Sequence, residues 1–133
     1  MILLDTHVVL WWQAGGDRLS RRVERELARA DAILISPVSC WEIATLLEKG
    51  RIKLDREIYT WIRDLFNEER IMPAPPSPQT AVSAALLGQR GFHGDPADRF
   101  LYATARDLSV PLMTKDERIQ EFAKQNGDIK TIW

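Results

Sequence analysis

The sequence predicts an α/β fold in which a short parallel sheet of four or five strands is flanked by helices, and three observations lead to it. Short apolar runs such as Ile2-Leu3-Leu4 and Ile33-Leu34-Ile35 have the length and character of strands buried on both faces. Segments with helical spacing of apolar residues separate those runs, the alternation that builds parallel sheets through crossover helices. Glycines and the pairs Ser36-Pro37, Ser77-Pro78 and Asp95-Pro96 punctuate the chain where helices would begin or end.

The elements follow in order. Residues 2–4 read as the first strand, with Asp5 at its carboxyl end. Thr6 to Gln13 reads as a helix closed by Gly15 and Gly16. Ser20 can cap a helix to about Ala30, in which Val23, Leu27 and Ala30 form an apolar stripe among Arg21, Arg22, Glu24, Arg25 and Glu26. Residues 32–35 form the second strand. Ser36 and Pro37 then open a helix through Val38, Trp41, Ala44 and Leu47 that stops near Gly50, with Glu42 about a turn and a half inside it. Asp55 is expected to cap a helix through Ile58, Trp61, Ile62, Leu65 and Phe66, followed by a short strand at Ile71 and Met72. Four of the seven prolines fall between Pro73 and Pro78 and impose a loop or turn. Ser77-Pro78 begins a helix expected to end at Gly88, and Asp95-Pro96 begins another through Phe100, Leu101, Ala103 and Thr104. Residues 111–114 read as a strand, 115–123 as a helix, and 129–132 as a final strand.

With 133 residues the chain is long enough for one core, and residues 1–133 are read as a single domain. Eighteen Lys and Arg against nineteen Asp and Glu leave no global positive field, so a polyanionic ligand would need local patches or bound cations. The lone Cys40 excludes a disulfide framework and a cysteine zinc site within the chain, in keeping with a cytoplasmic protein. No signal-peptide pattern precedes Asp5, and the uncharged stretch from Thr6 to Gly16 is too short to span a bilayer.

Parallel sheets place their sites at the carboxyl ends of the strands, which is where Asp5 and Asp116 fall. Asp5 is the only charge between Met1 and Gly16, and Glu42 the only one between Ala32 and Leu47. A carboxylate in apolar surroundings must be protonated, be paired, or bind a metal. Acids that converge cannot neutralise one another, and an oxygen-only set suits a hard ion such as Mg2+ or Mn2+. Such ions commonly serve phosphoryl chemistry.

The blocks Ile2-Leu3-Leu4-Asp5-Thr6-His7, Ser39-Cys40-Trp41-Glu42-Ile43-Ala44, His93-Gly94-Asp95-Pro96-Ala97-Asp98-Arg99 and Met113-Thr114-Lys115-Asp116, with the closing Ile132-Trp133, resemble the PIN-domain nucleases, in particular VapC-type toxins. The resemblance covers nearly the whole chain. It implies a Rossmann-like sheet and an acidic quartet at Asp5, Glu42, Asp98 and Asp116, with Asp95 as an additional acid and Thr6, Thr114 and Arg99 in support. Ala97 departs from the pattern, which more often has an aromatic residue there. The implied activity is metal-dependent hydrolysis of RNA phosphodiesters, leaving a 5′ phosphate and a 3′ hydroxyl. The implied partners are RNA, a cognate antitoxin whose terminal segment blocks the site, and a second copy in a homodimer.

Each acid also has a plain structural role open to it. Asp5 could be a turn residue, Glu42 could pair with Arg99, Arg106 or Lys115, and Asp98 and Asp116 could be first-turn helix acids. A catalytically silent module that binds RNA or protein is the competing function, and the intact quartet argues against it. A phosphatase of the haloacid dehalogenase type would want an aspartate where His7 stands. His7 and His93 lack metal-ligand spacing and are left outside the site. The arginines Arg18, Arg21, Arg22 and Arg25 read as a solvated helix face. Trp11 and Trp12 are adjacent and cannot both face one core, so one is expected to contact a partner, in a groove with Leu46, Leu47, Trp61 and Phe66.

Overall fold

The computed structural model describes residues 1–133, with strands β1 (Ile2–Leu4), β2 (Ile33–Ile35), β3 (Ile71–Pro73), β4 (Leu112–Met113) and β5 (Thr131–Ile132). The helices are α1 (Thr6–Ala14), α2 (Arg21–Arg29), α3 (Pro37–Glu48), α4 (Ile58–Phe66), α5 (Pro78–Leu86), α6 (Pro96–Leu108) and α7 (Glu117–Asn126), with a 3-10 turn at Leu87–Arg90. All pairings are parallel and the strand order is β3-β2-β1-β4-β5. The expected α/β sheet is therefore present with five strands. No helix is long and apolar enough to cross a membrane.

Alternation along the strands divides the core. Leu3, Leu34 and Leu112 face one side, where they meet Ala84 of α5, Leu101 and Tyr102 of α6, and Ile119 and Phe122 of α7. Ile2, Leu4, Ile33, Ile35 and Met113 face the other, against Val8 and Val9 of α1, Val23 and Leu27 of α2, Ile43 of α3, and Trp61 and Leu65 of α4. Because consecutive residues of β1 are buried on opposite sides, Asp5 is held rigidly where that strand ends. Strand order reverses between β1 and β4, and a crevice outside the carboxyl ends of such a pair is where parallel sheets place ligands.

Local capping sets most helix starts as the sequence predicts. Ser20, Ser36, Ser77 and Asp95 accept from the backbone N–H groups of Val23, Val38, Thr80 and Asp98 respectively. Two expectations fail. Asp55 is held by the Arg56 guanidinium, and Glu57 caps α4 instead, folding back to accept from the N–H groups of Tyr59 and Thr60. Gly88 does not end α5: the chain continues through the 3-10 turn to Gly91, whose φ of 93° supplies the left-handed stop. Gly88 lies against Arg99, where an added Cβ would stand 3.4 Å from the guanidinium.

Candidate active site

Asp5 occupies the cap position of α1, yet its side chain makes no cap hydrogen bond. It points instead to Thr114, whose hydroxyl donates to Asp5 Oδ2 at 2.7 Å. The same hydroxyl accepts from the backbone N–H of Asp116 at 3.0 Å, so one buried side chain ties the end of β1 to the start of α7. Asp5 is only 7% exposed, and burial pushes its carboxyl above the ordinary value although the bond from Thr114 opposes this. The turn-residue reading of Asp5 is thus replaced by a buried acid aimed across the switch point.

Asp95, Asp98 and Asp116 arrive on helix N-termini around it, and Glu42 on the middle of a helix. Asp116 caps α7, accepting from the N–H of Arg118 at 2.8 Å. Asp95 caps α6 by accepting from the N–H of Asp98 at 2.9 Å, leaving Asp98 at the third helical position. Glu42 projects from the middle of α3 and is half-buried. Its carboxyl is raised first by burial and further by Asp95 and Asp5, while the Thr6 hydroxyl lowers it. Thr6 itself is buried and donates to Ser39 Oγ at 2.9 Å, which fixes α1 against α3 beneath Glu42.

Asp98 feels all of them. Burial and the charges of Asp95, Asp5, Asp116 and Glu42 together push it up to about 7. None of the ion pairs in the structure reaches Asp5, Glu42, Asp95 or Asp98, and Asp116 has only a loose contact with Arg118 at 3.5 Å. The pairing of Glu42 with Arg99, Arg106 or Lys115 does not form. Arg99 instead donates from Nε to the Gly94 carbonyl at 2.9 Å and holds the loop that leads into α6. Its support is positional.

The acids are donors of the type a hard cation requires, five carboxylates whose one ion pair is the loose contact of Asp116 with Arg118. No three of the acidic, histidine or cysteine side chains close into a ready-made metal cage, so they face one another within Coulombic range rather than in contact. A cation would fit the charge and chemistry of the set by relieving the repulsion that raises Asp98.

Sequence reasoning set His7 aside, but the structure brings it to the acids, where it lowers the carboxyls of both Asp5 and Glu42. Its position two residues beyond Asp5, on the first turn of α1, was the available signal. The tryptophans also sort differently from expectation. Trp12 packs on the core, Trp61 is buried, and Trp11 is covered by His7, Trp133, Arg18 and Lys115. Trp41 is the exposed one, at 62%. In place of the expected apolar groove there is a mixed cavity of about 650 Å³, in which Leu10, Trp11, Ile52, Leu54, Trp61 and Leu65 alternate with His7, Arg18, Arg51, Lys53, Arg56 and Asp64. Leu46, Leu47 and Phe66 lie outside it, because α3 turns Leu46 toward a second cavity beside Glu42.

A switch-point crevice ringed by acids on a five-stranded parallel sheet defines a PIN-type fold, and the chain belongs to the PIN domain family, whose model matches residues 2–125. It is 38% identical to Ribonuclease VapC22 of Mycobacterium tuberculosis strain H37Rv over 132 residues, covering 99% of this chain and 98% of that one. Among solved structures it resembles a chain of VapBC2 from Rickettsia felis bound to a promoter DNA fragment, with a TM-score of 0.68, 16% identity, and coverage of 99% and 98%. A chain of FitAcB from Neisseria gonorrhoeae matches with a TM-score of 0.61, 20% identity, and coverage of 100% and 97%. These two likenesses show the fold.

Proposed function

We propose that the chain is a metal-dependent endoribonuclease, the toxin of a toxin-antitoxin pair, working in the cytoplasm as one domain. The carrying observation is the convergence of Asp5, Glu42, Asp98 and Asp116 from four separate segments, with Asp95 beside them and no ion pair beyond the loose contact of Asp116 with Arg118. The curated relative named a ribonuclease, similar over nearly the full length of both chains, supports the substrate class.

The carboxylates of Asp5, Asp98 and Asp116, with Glu42 and Asp95 beside them, would hold Mg2+ or Mn2+. When bound, such an ion supplies Lewis-acid stabilisation of a phosphodiester and lowers the pKa of water. The chain's own residues prepare that site. Thr114 fixes the direction of Asp5 Oδ2 and, through the Asp116 N–H, the start of α7. The raised carboxyl of Asp98 marks the point of the cluster where positive charge would be most favourable. Thr6 ties α1 to α3 through Ser39, and His7 stands beside Asp5 and Glu42 at the rim of the site.

The groove between α1 and α4, with apolar and charged residues side by side, suits an amphipathic segment of an antitoxin, and the likeness to a chain of VapBC2 supports a partner of that kind. Exposed Val82 and Leu86 on α5 offer an apolar face for a second copy, so a homodimer is part of the reading. The direct test is incubation with single-stranded RNA in Mg2+ or Mn2+. Cleavage that leaves 5′ phosphates and stops in chelator is expected, and cleavage undiminished by excess chelator would refute the metal mechanism.

A further inference from the structure

Beside the acids lies a second cavity of about 500 Å³, lined by Trp41, Glu42, Thr45, Lys49, Arg51 and, across from them, Asp95. Its two ends differ in charge. Glu42 and Asp95 stand at the end shared with the acid cluster, whereas Lys49 and Arg51 stand at the other, exposed and in no ion pair. Trp41, Thr45 and Lys49 are spaced four residues apart, so they form one stripe along α3 and its end, about 12 Å from Trp41 to Lys49 at helical rise. The Thr45 hydroxyl is engaged by the Trp41 carbonyl, to which it donates at 2.8 Å, leaving the stripe an indole at one end and a cation at the other.

Trp41 is the feature that a purely structural role leaves unexplained. It is 62% exposed, adjoins the acid Glu42 in sequence and shares its cavity, and no other aromatic ring or cation rests on it. Trp11, by contrast, is already covered by neighbouring rings and cations. An open indole next to a phosphodiester-cleaving centre, with unpaired cations leading away from it, has the parts of a single-strand binding track: a flat apolar face for a base and positive charge for the backbone.

We propose that Trp41 is a substrate-positioning residue that stacks on one unpaired base next to the scissile phosphodiester, while Lys49 and Arg51 hold phosphates of the same strand. The inference rests on the ribonuclease reading and deepens it: the substrate must offer an unstacked base, as loops and single strands do and duplexes do not. Held this way, the strand reaches the acids in one register, and selection of the cleavage site begins at the stacked base.

The test measures binding without cutting, using the full chain with Asp5→Asn and a short fluorescent single-stranded RNA, alone and with each base in turn replaced by an abasic residue. Removing one particular base is expected to weaken binding roughly 5- to 150-fold, the equivalent of about 1–3 kcal/mol. Adding W41A should produce the same loss on the intact RNA and no further loss on that abasic one, while W41F keeps most of the affinity. Lys49→Gln and Arg51→Gln should weaken every RNA alike and flatten the salt dependence, each by roughly one phosphate contact. Unchanged affinity in W41A, or an equal loss on every abasic RNA, would overturn the proposal. So would sedimentation showing that W41A dissociates a dimer, since Trp41 would then belong to a contact between copies. Cleavage by the unaltered chain is scored separately: cleavage with a neutral Trp41 defeats this inference alone, whereas absence of both cleavage and binding defeats the ribonuclease reading.

Discussion

Replacing Asp98 with Asn should make the metal-free protein more stable at alkaline pH while removing most of its affinity for a divalent cation. In the folded chain the Asp98 carboxyl is pushed up to about 7 by burial and by Asp95, Asp5, Asp116 and Glu42, from an ordinary value of 3.8. A group whose folded pKa is raised favours the native state only while protonated. Its cost to stability therefore sets in above about pH 4, grows as pH rises, and is complete above about pH 7. The full shift would correspond to about 4 kcal/mol, but Asp98 is only half-buried, and solvent screening reduces this to roughly 1–2 kcal/mol. Melting curves in chelator should show Asp98→Asn gaining a few degrees at pH 8 and little at pH 4. Asp95→Asn is the control, because Asn caps a helix as well as Asp and should leave the fold and part of the metal binding intact. If Asp98→Asn gains nothing at pH 8, or gains equally at both pH values, the like-charge account of the site is wrong.

Three further outcomes follow from the same geometry. Thr114→Val removes the bond to Asp5 and the acceptor for the Asp116 N–H at one stroke, so denaturant melts should show a loss of about 1–3 kcal/mol, and Mn2+ titration a weaker site as the Asp5 carboxyl rises further. Gly94→Ala would bring a Cβ to 2.6 Å from the Phe92 ring, itself locked against Tyr102 and Phe122, and to 3.1 Å from Asp98 Cβ. Overpacking of about 1–3 kcal/mol and reduced RNA cleavage are expected, and a variant with full stability and activity would show that this loop does not position Asp98. Asp95→Ala should lower stability by about 0.5–2 kcal/mol through loss of the cap, read by the same melts.

Much of the fold was legible because its signals are local. Ser36-Pro37, Ser77-Pro78 and Asp95-Pro96 each carry both the cap and the first-turn proline, and all three open helices. Where two adjacent residues compete for one role, sequence alone does not decide. Asp55 lost its cap to Glu57 while Arg56 engages its carboxylate, and Gly88 yielded the helix end to Gly91, which takes the left-handed conformation. Asp5 and Glu42 were legible as isolated charges in apolar runs, whereas Asp98 and Asp116 were marked by the family resemblance. Their convergence needed the strand order, which brings β4 beside β1 although more than a hundred residues separate Asp5 from Thr114. His7 was set aside although its place two residues beyond Asp5 was visible in the sequence, and Trp41 read as part of an apolar helix face because its exposure beside Glu42 appears only once α3 is packed.

Paramagnetic broadening of amide signals by trace Mn2+ tests most directly whether Asp5, Glu42, Asp98 and Asp116 make one cation site. The amides flanking those four residues should fade first and together, and Asp5→Asn should abolish the effect at all four. Broadening that instead spreads over exposed acids such as Asp17, Glu24 and Asp55, or that survives unchanged in Asp5→Asn, would contradict the account.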